Sequence, residues 1–311
     1  MKRGLAGTLA VLALSAPAAA PGYVRSRTTH GTPTRWLANC ASVQPDLAGS
    51  PDLDPATTFS TLKDALTTWR EATKGCAYLE LDYVEPAPVE AHFDGANVVK
   101  FRTDRWCHPD DEQSQNVCYS SVAAGITTVF YVDRPGDSDD GVILDADVEL
   151  NNLDFTFDFV DRVGGPTKSA RPGTTIADFE NTIVHELGHL QGLDHTCKDS
   201  ATPANEVDEN GKTPPSCSGL MGLPLTEFMK ITEATMFNSA APAETKKRTP
   251  ESDDVAGICA AYPTAQRPDR CVAADISSYR KSGCSIAGRS PFLGPLLLLI
   301  LAATFRRRRA R

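Results

Sequence analysis

Residues 175–195 read Thr175-Ile176-Ala177-Asp178-Phe179-Glu180-Asn181-Thr182-Ile183-Val184-His185-Glu186-Leu187-Gly188-His189-Leu190-Gln191-Gly192-Leu193-Asp194-His195. Ile176, Phe179, Ile183, Leu187 and Leu190 recur at helical spacing, which predicts an amphipathic helix with one buried stripe. The spacing of Thr175 and Asp178 is that of a capping box, so the helix is expected to begin near Thr175. Gly192 is expected to end it, because glycine enters the left-handed conformation at little steric cost. His185 and His189 share one helix face, and a turn at Gly192 lets His195 come back toward the same point. Three neutral imidazoles suit Zn2+, with nitrogens about 2.0–2.1 Å from the ion and a fourth position left for water. A zinc ion would bring the pKa of that water to about 7. Glu186, one residue off the ligand face, is then the expected general base. A surface helix can carry His-Glu-x-x-His by accident; the added glycine and third histidine make the pattern specific.

The extended pattern His-Glu-x-x-His-x-x-Gly-x-x-His resembles the zinc-binding signature of the metzincin peptidases. Most of 23–263 is similar to their matrixin branch and its bacterial relatives, through Trp69, the strand around Phe101, the Asp145–Asn151 segment and Asp253-Asp254-Val255-Ala256-Gly257-Ile258. The resemblance implies an α+β fold: a twisted mixed β-sheet over the active-site helix, a C-terminal helix, and zinc on the floor of a cleft that takes protein or peptide substrates. It implies that the 142–150 strand borders that cleft and pairs with an extended substrate. It also implies a methionine turn beneath the metal. Met236, in Ala234-Thr235-Met236-Phe237, is the expected residue, with Met221 its rival and plain core filling the alternative for either. The chain departs from the family in the long stretch between His195 and Met236. With Cys197, Cys217, Pro203, Pro214 and Pro215 it reads as a stapled loop, either a cleft wall or tolerated surface. Phe237 stands where some relatives carry a tyrosine, so no second acid is assigned.

Upstream, Phe59, Leu62, Leu66 and Trp69 predict a helix over 58–73 that ends at Gly75. Strands are expected at 23–28, 77–83, 97–102 and 126–133. In 142–150, Val142, Leu144, Ala146, Val148 and Leu150 alternate with Ile143, Asp145, Asp147 and Glu149. That alternation predicts one buried face, one wet face and an edge strand guarded by charge. Asp133-Arg134-Pro135-Gly136-Asp137-Ser138-Asp139-Asp140-Gly141 has two readings, oxygen ligands for Ca2+ or a solvated turn.

The 311 residues are 41% hydrophobic and carry a net charge of -9, which permits a full core and argues against nucleic acid as a partner. Residues 1–20 have a signal peptide's layout: Lys2 and Arg3, an apolar Leu5–Leu14, then small residues with cleavage expected after Ala18 or Ala19. The peptidase domain is expected over 21–275, with a linker over 276–290. At the far end, the apolar Pro291–Phe305 and its trailing arginines, with Cys284 just ahead, resemble the C-terminal sorting tails of myxobacterial surface proteins. That likeness implies an exported protein whose tail meets the membrane and its sorting machinery and is cleaved near Cys284, leaving the protein at the surface or released; the alternative is an ordinary membrane anchor over 291–311. Of nine cysteines, setting Cys284 aside leaves eight, an even number suited to an exported chain. The expected pairs are Cys40–Cys76, Cys107–Cys118, Cys197–Cys217 and Cys259–Cys271. A rival to the enzyme is a surface adhesion or scaffold protein with a structural zinc, although such sites are normally closed by four protein ligands and have no use for Glu186.

Overall fold

The computed structural model describes residues 22–109, 117–199, 206–272, 276–281 and 286–289. The signal segment, the apolar tail and Cys284 lie outside them. Among the described residues no helix is long and apolar enough to cross a membrane. The fold is α+β. Its strands are β1 (Val24–Arg25), β2 (Cys40–Pro45), β3 (Glu80–Tyr83), β4 (Asn97–Arg102), β5 (Cys107–His108), β6 (Val117–Cys118), β7 (Gly125–Val132), β8 (Ile143–Asn151), β9 (Phe155–Asp158), β10 (Thr175–Asp178), β11 (Leu193–Asp194) and β12 (Ile286–Arg289). Its helices are α1 (Pro55–Thr73), α2 (Phe179–Leu190), α3 (Leu225–Glu233), α4 (Ser252–Ala261) and α5 (Ile276–Lys281).

A six-stranded mixed sheet runs β12-β7-β8-β4-β2-β3. β3, β2, β4 and β8 are parallel, whereas β7 is antiparallel to β8 and β12. One face of this sheet packs on α1 and α2 through Val43, Val99, Ala146, Val148 and Leu150 against Leu62, Leu66, Trp69, Ile183 and Leu187. α1 begins where Asp54 caps it, its carboxylate accepting from Thr57 N at 2.9 Å with Pro55 in the first turn. Gly75, at φ +87°, follows its end. Two indole donors tie the helices together: Trp69 Nε1 donates to Val184 O, and Trp36 Nε1 to Leu190 O, both at 2.8 Å.

Three expectations are corrected here. The strand over 142–150 is not an edge with a wet face: β8 lies between β7 and β4, and all nine of its residues are buried. Alternation reports two faces without saying which is wet. The 85–96 segment and the β5–β6 hairpin supply donors to the charged face. Glu149 accepts from Arg102 Nε at 2.5 Å and Tyr119 Oη at 2.7 Å and lies 2.7 Å from His108 Nδ1, while Asp145 accepts from the Asp94 and Gly95 amides. The active-site helix does not begin at Thr175: 175–178 is β10, parallel to β9, and Asp178 rather than Thr175 caps α2 through Asn181 N at 2.8 Å. The pairs Cys40–Cys76 and Cys259–Cys271 give way to Cys40–Cys271 and Cys76–Cys259, because α4 returns to the end of α1; Cys107–Cys118 and Cys197–Cys217 form as expected.

Candidate metal centre

α2 brings His185 and His189 to one side, and Gly192 turns the chain so that β11 delivers His195 to them. Gly192 sits at φ +91° with its amide on His189 O; a Cβ there would lie 3.1 Å from Thr34 O, so both conformation and space demand glycine. The ligand atoms of His185, His189 and His195 all lie within 4.8 Å of one another, with His189 Nε2 and His195 Nε2 3.1 Å apart. Nitrogens about 2.0–2.1 Å from one tetrahedral ion stand roughly 3.3 Å from each other, so the cluster is close to ligating spacing. Two backbone carbonyls orient the rings. His185 Nδ1 is 2.6 Å from Thr235 O and His189 Nδ1 is 3.0 Å from Leu193 O. A carbonyl only accepts, so each Nδ1 carries the proton and each Nε2 keeps its lone pair for a metal. Burial holds His185 well below the ordinary histidine range and His195 down at about 3, which keeps both neutral, as ligands must be. The donor set therefore fits zinc. Among the described residues no fourth His, Cys, Asp or Glu joins the cluster.

Glu186, 4% exposed, is held from β7. Thr127 Oγ1 donates to its Oε2 at 2.7 Å, and Gly125 leaves the room its carboxylate needs, since a Cβ there would meet Oε1 at 2.6 Å. Burial raises its pKa above that of an ordinary glutamate. Met236 is buried beneath α2, where a Cβ on Gly188 would lie 2.3 Å from its Sδ; Met221 is 87% exposed. The turn around Met236 is held from α4 by Asp254, which accepts from Thr235 N at 2.7 Å and Met236 N at 3.1 Å. Thr196 N, beside His195, donates to Met236 O at 3.1 Å, so the methionine turn supports the third ligand's segment directly.

The three histidines and Glu186 line a cleft of about 490 Å³ together with Ala123–Ile126 and Asn238–Pro242. The sheet's contribution is thus the start of β7, not β8. In the Asp133–Gly141 turn, Asp140 accepts from Arg134 N, and Arg134 Nη1 lies 3.8 and 3.7 Å from Asp137 and Asp139. Those carboxylates do not converge as metal ligands among the described residues. Thr127, Gly125 and Lys247, which also lines the cleft, escape a reading of the sequence, as does the anchoring role of Asp254; only the glycine opening a β-rich run at 125 hinted at a close approach. No protein-family model matches the chain, and no curated protein matches it.

Proposed function

We propose that this chain is a zinc-dependent endopeptidase of the metzincin type, exported and either secreted or attached to the cell surface. One observation carries the reading: a buried carboxylate fixed by Thr127 stands beside three imidazoles whose ring nitrogens converge in an open cleft. Bound zinc supplies an acidified water and a Lewis acid for the scissile carbonyl. Glu186 accepts the proton from the attacking water on Oε1, while Oε2 stays bonded to Thr127, and then passes it to the leaving amine. The raised pKa of Glu186 suits a group that must give the proton back. An extended peptide runs along the cleft and pairs with the start of β7 at Gly125 and Ile126, which line it and lie beyond the 129–132 stretch covered by β12. Backbone pairing of that kind grips a peptide irrespective of sequence. Four disulfides suit an oxidising compartment, as export requires.

Glu186→Gln tests the reading. The variant is expected to bind zinc as the parent does and to lose cleavage of a casein-type substrate by at least about a thousandfold. Equal turnover by the variant would remove Glu186 from the mechanism and the hydrolase reading with it.

A further inference from the structure

Lys247 is 3% exposed, yet its side chain lines the cleft that holds His185 and Glu186. It stands on a short helical turn, Lys246–Arg248, packed against α2, with its amide donating to Asn181 Oδ1 at 2.8 Å. The ammonium donates to Phe237 O and lies 5.8 Å from the Phe237 ring centroid. An ammonium has three N–H donors, and this one uses a single protein acceptor. No carboxylate among the described residues lies within 4.0 Å of it: Lys246 pairs with Glu233 and Arg248 with Asp178 and Glu180, leaving Lys247 without an ion pair. Glu244, also in the cleft, accepts on Oε2 from Ala241 N at 3.1 Å, and its buried Oε1 has no hydrogen-bond partner among the described residues. The charges of Glu244, Glu186 and Asp254 act on Lys247 from beyond 4.0 Å, and Ala240, Ala241 and Pro242 line the same cleft.

A buried cation with no carboxylate in contact still has donors to offer, and an incoming carboxylate that reaches them recovers part of the cost of burial. We infer that Lys247 is a specificity determinant, its ammonium receiving a substrate carboxylate, so that peptides with an acidic residue beside the scissile bond are preferred. The inference rests on the endopeptidase reading for its substrate class and deepens it. Burial also lowers the Lys247 pKa to about 8, which leaves the group mostly charged at neutral pH. The carboxylate has two chemical sources, an Asp or Glu side chain or the peptide's own C-terminus.

The test scans Glu, Gln and Lys through each position flanking the bond, in peptides with free and with amidated C-termini. Glu is expected to exceed Gln by at least about tenfold in kcat/KM at one position, equivalent to 1.4 kcal/mol. Lys247→Met should bring that ratio to about one, Lys247→Glu should turn it toward Lys, and Lys247→Arg should keep it. A preference confined to free C-termini would make the chain end the recognised carboxylate and still support the role of Lys247. Cleavage by the parent protein with no acidic preference at any position, or with a preference for Lys, overturns the inference while the hydrolase reading stands; this arm needs no variant. Binding of the same fluorescent peptides to the Glu186→Gln chain is read separately from turnover. A tenfold Glu-over-Gln binding ratio that Lys247→Met removes, with no peptide cleaved by the parent, would uphold the carboxylate site and sink the peptidase.

Discussion

Glu186 is placed as much by what is missing from Gly125 as by what Thr127 offers. Gly125→Ala would put a Cβ 2.6 Å from Oε1 and push the carboxylate off its bearing. We expect a tenfold to hundredfold fall in kcat with zinc affinity kept, since displacements of about 1 Å cost on that order; an unchanged kcat would show that the carboxylate's position is not critical. Asp145 belongs to the same scale. Burial pushes its pKa up to about 7, against about 3.9 for an unfolded chain. The folded chain therefore keeps a proton that the unfolded chain releases, and stability is lost as pH rises from about 4 through 7. Asp145→Asn should flatten that decline, read as Tm between pH 5 and pH 8. A slope as steep as the parent's would assign the decline elsewhere. At this scale the metal ligands were legible because a helix repeats in sequence. Thr127 and Lys247 were not, because they reach the site from elements more than fifty residues away from Glu186 in the chain.

Among elements, most of α1 was legible, since its apolar spacing lies within a few residues; its first turn from Pro55 and its cap Asp54 were not. The start of α2 was misread because Thr175-Ile176-Ala177 finds a better partner in β9 than in a helical turn. β8 was recognised as a strand but misplaced at an edge, because the donors that quiet its acidic face come from β4, the β5–β6 hairpin and the 85–96 segment. Cysteine pairing could not be inferred from proximity in sequence. Cys76–Cys259 spans 183 residues and Cys107–Cys118 only 11. In the chain-entropy account the second contributes about 3 kcal/mol and the first about 4, because with Cys40–Cys271 intact it closes a loop of only about 50 residues. Replacing the first pair by serines should thus lower urea stability by about 1 kcal/mol more than replacing the second. Equal losses would mean that loop length does not set what these bonds contribute.

For the molecule as a whole, the site is assembled from α2, β7, β11 and the methionine turn, and it exists only when all four are in place. Zinc that binds this arrangement and not the unfolded chain must stabilise the fold. At a thousandfold excess over Kd the gain is about 4 kcal/mol. We expect Tm to rise with zinc, to fall on chelation, and to be insensitive to both in His189→Ala. A parent Tm indifferent to chelation would mean that the folded rings do not hold the ion. The α+β class and the position of the cleft floor could be read in advance, because both follow from local patterns; the cleft walls could not, because they join distant loops.

The bond between Cys40 and Cys271 closes nearly the entire described domain into a covalent ring. A single cut anywhere between those two positions opens the ring without releasing a fragment. Preparations nicked by any protease should therefore migrate at full mass on a gel without reductant and come apart only when thiol is added, so damage in storage will be seen only under reducing conditions.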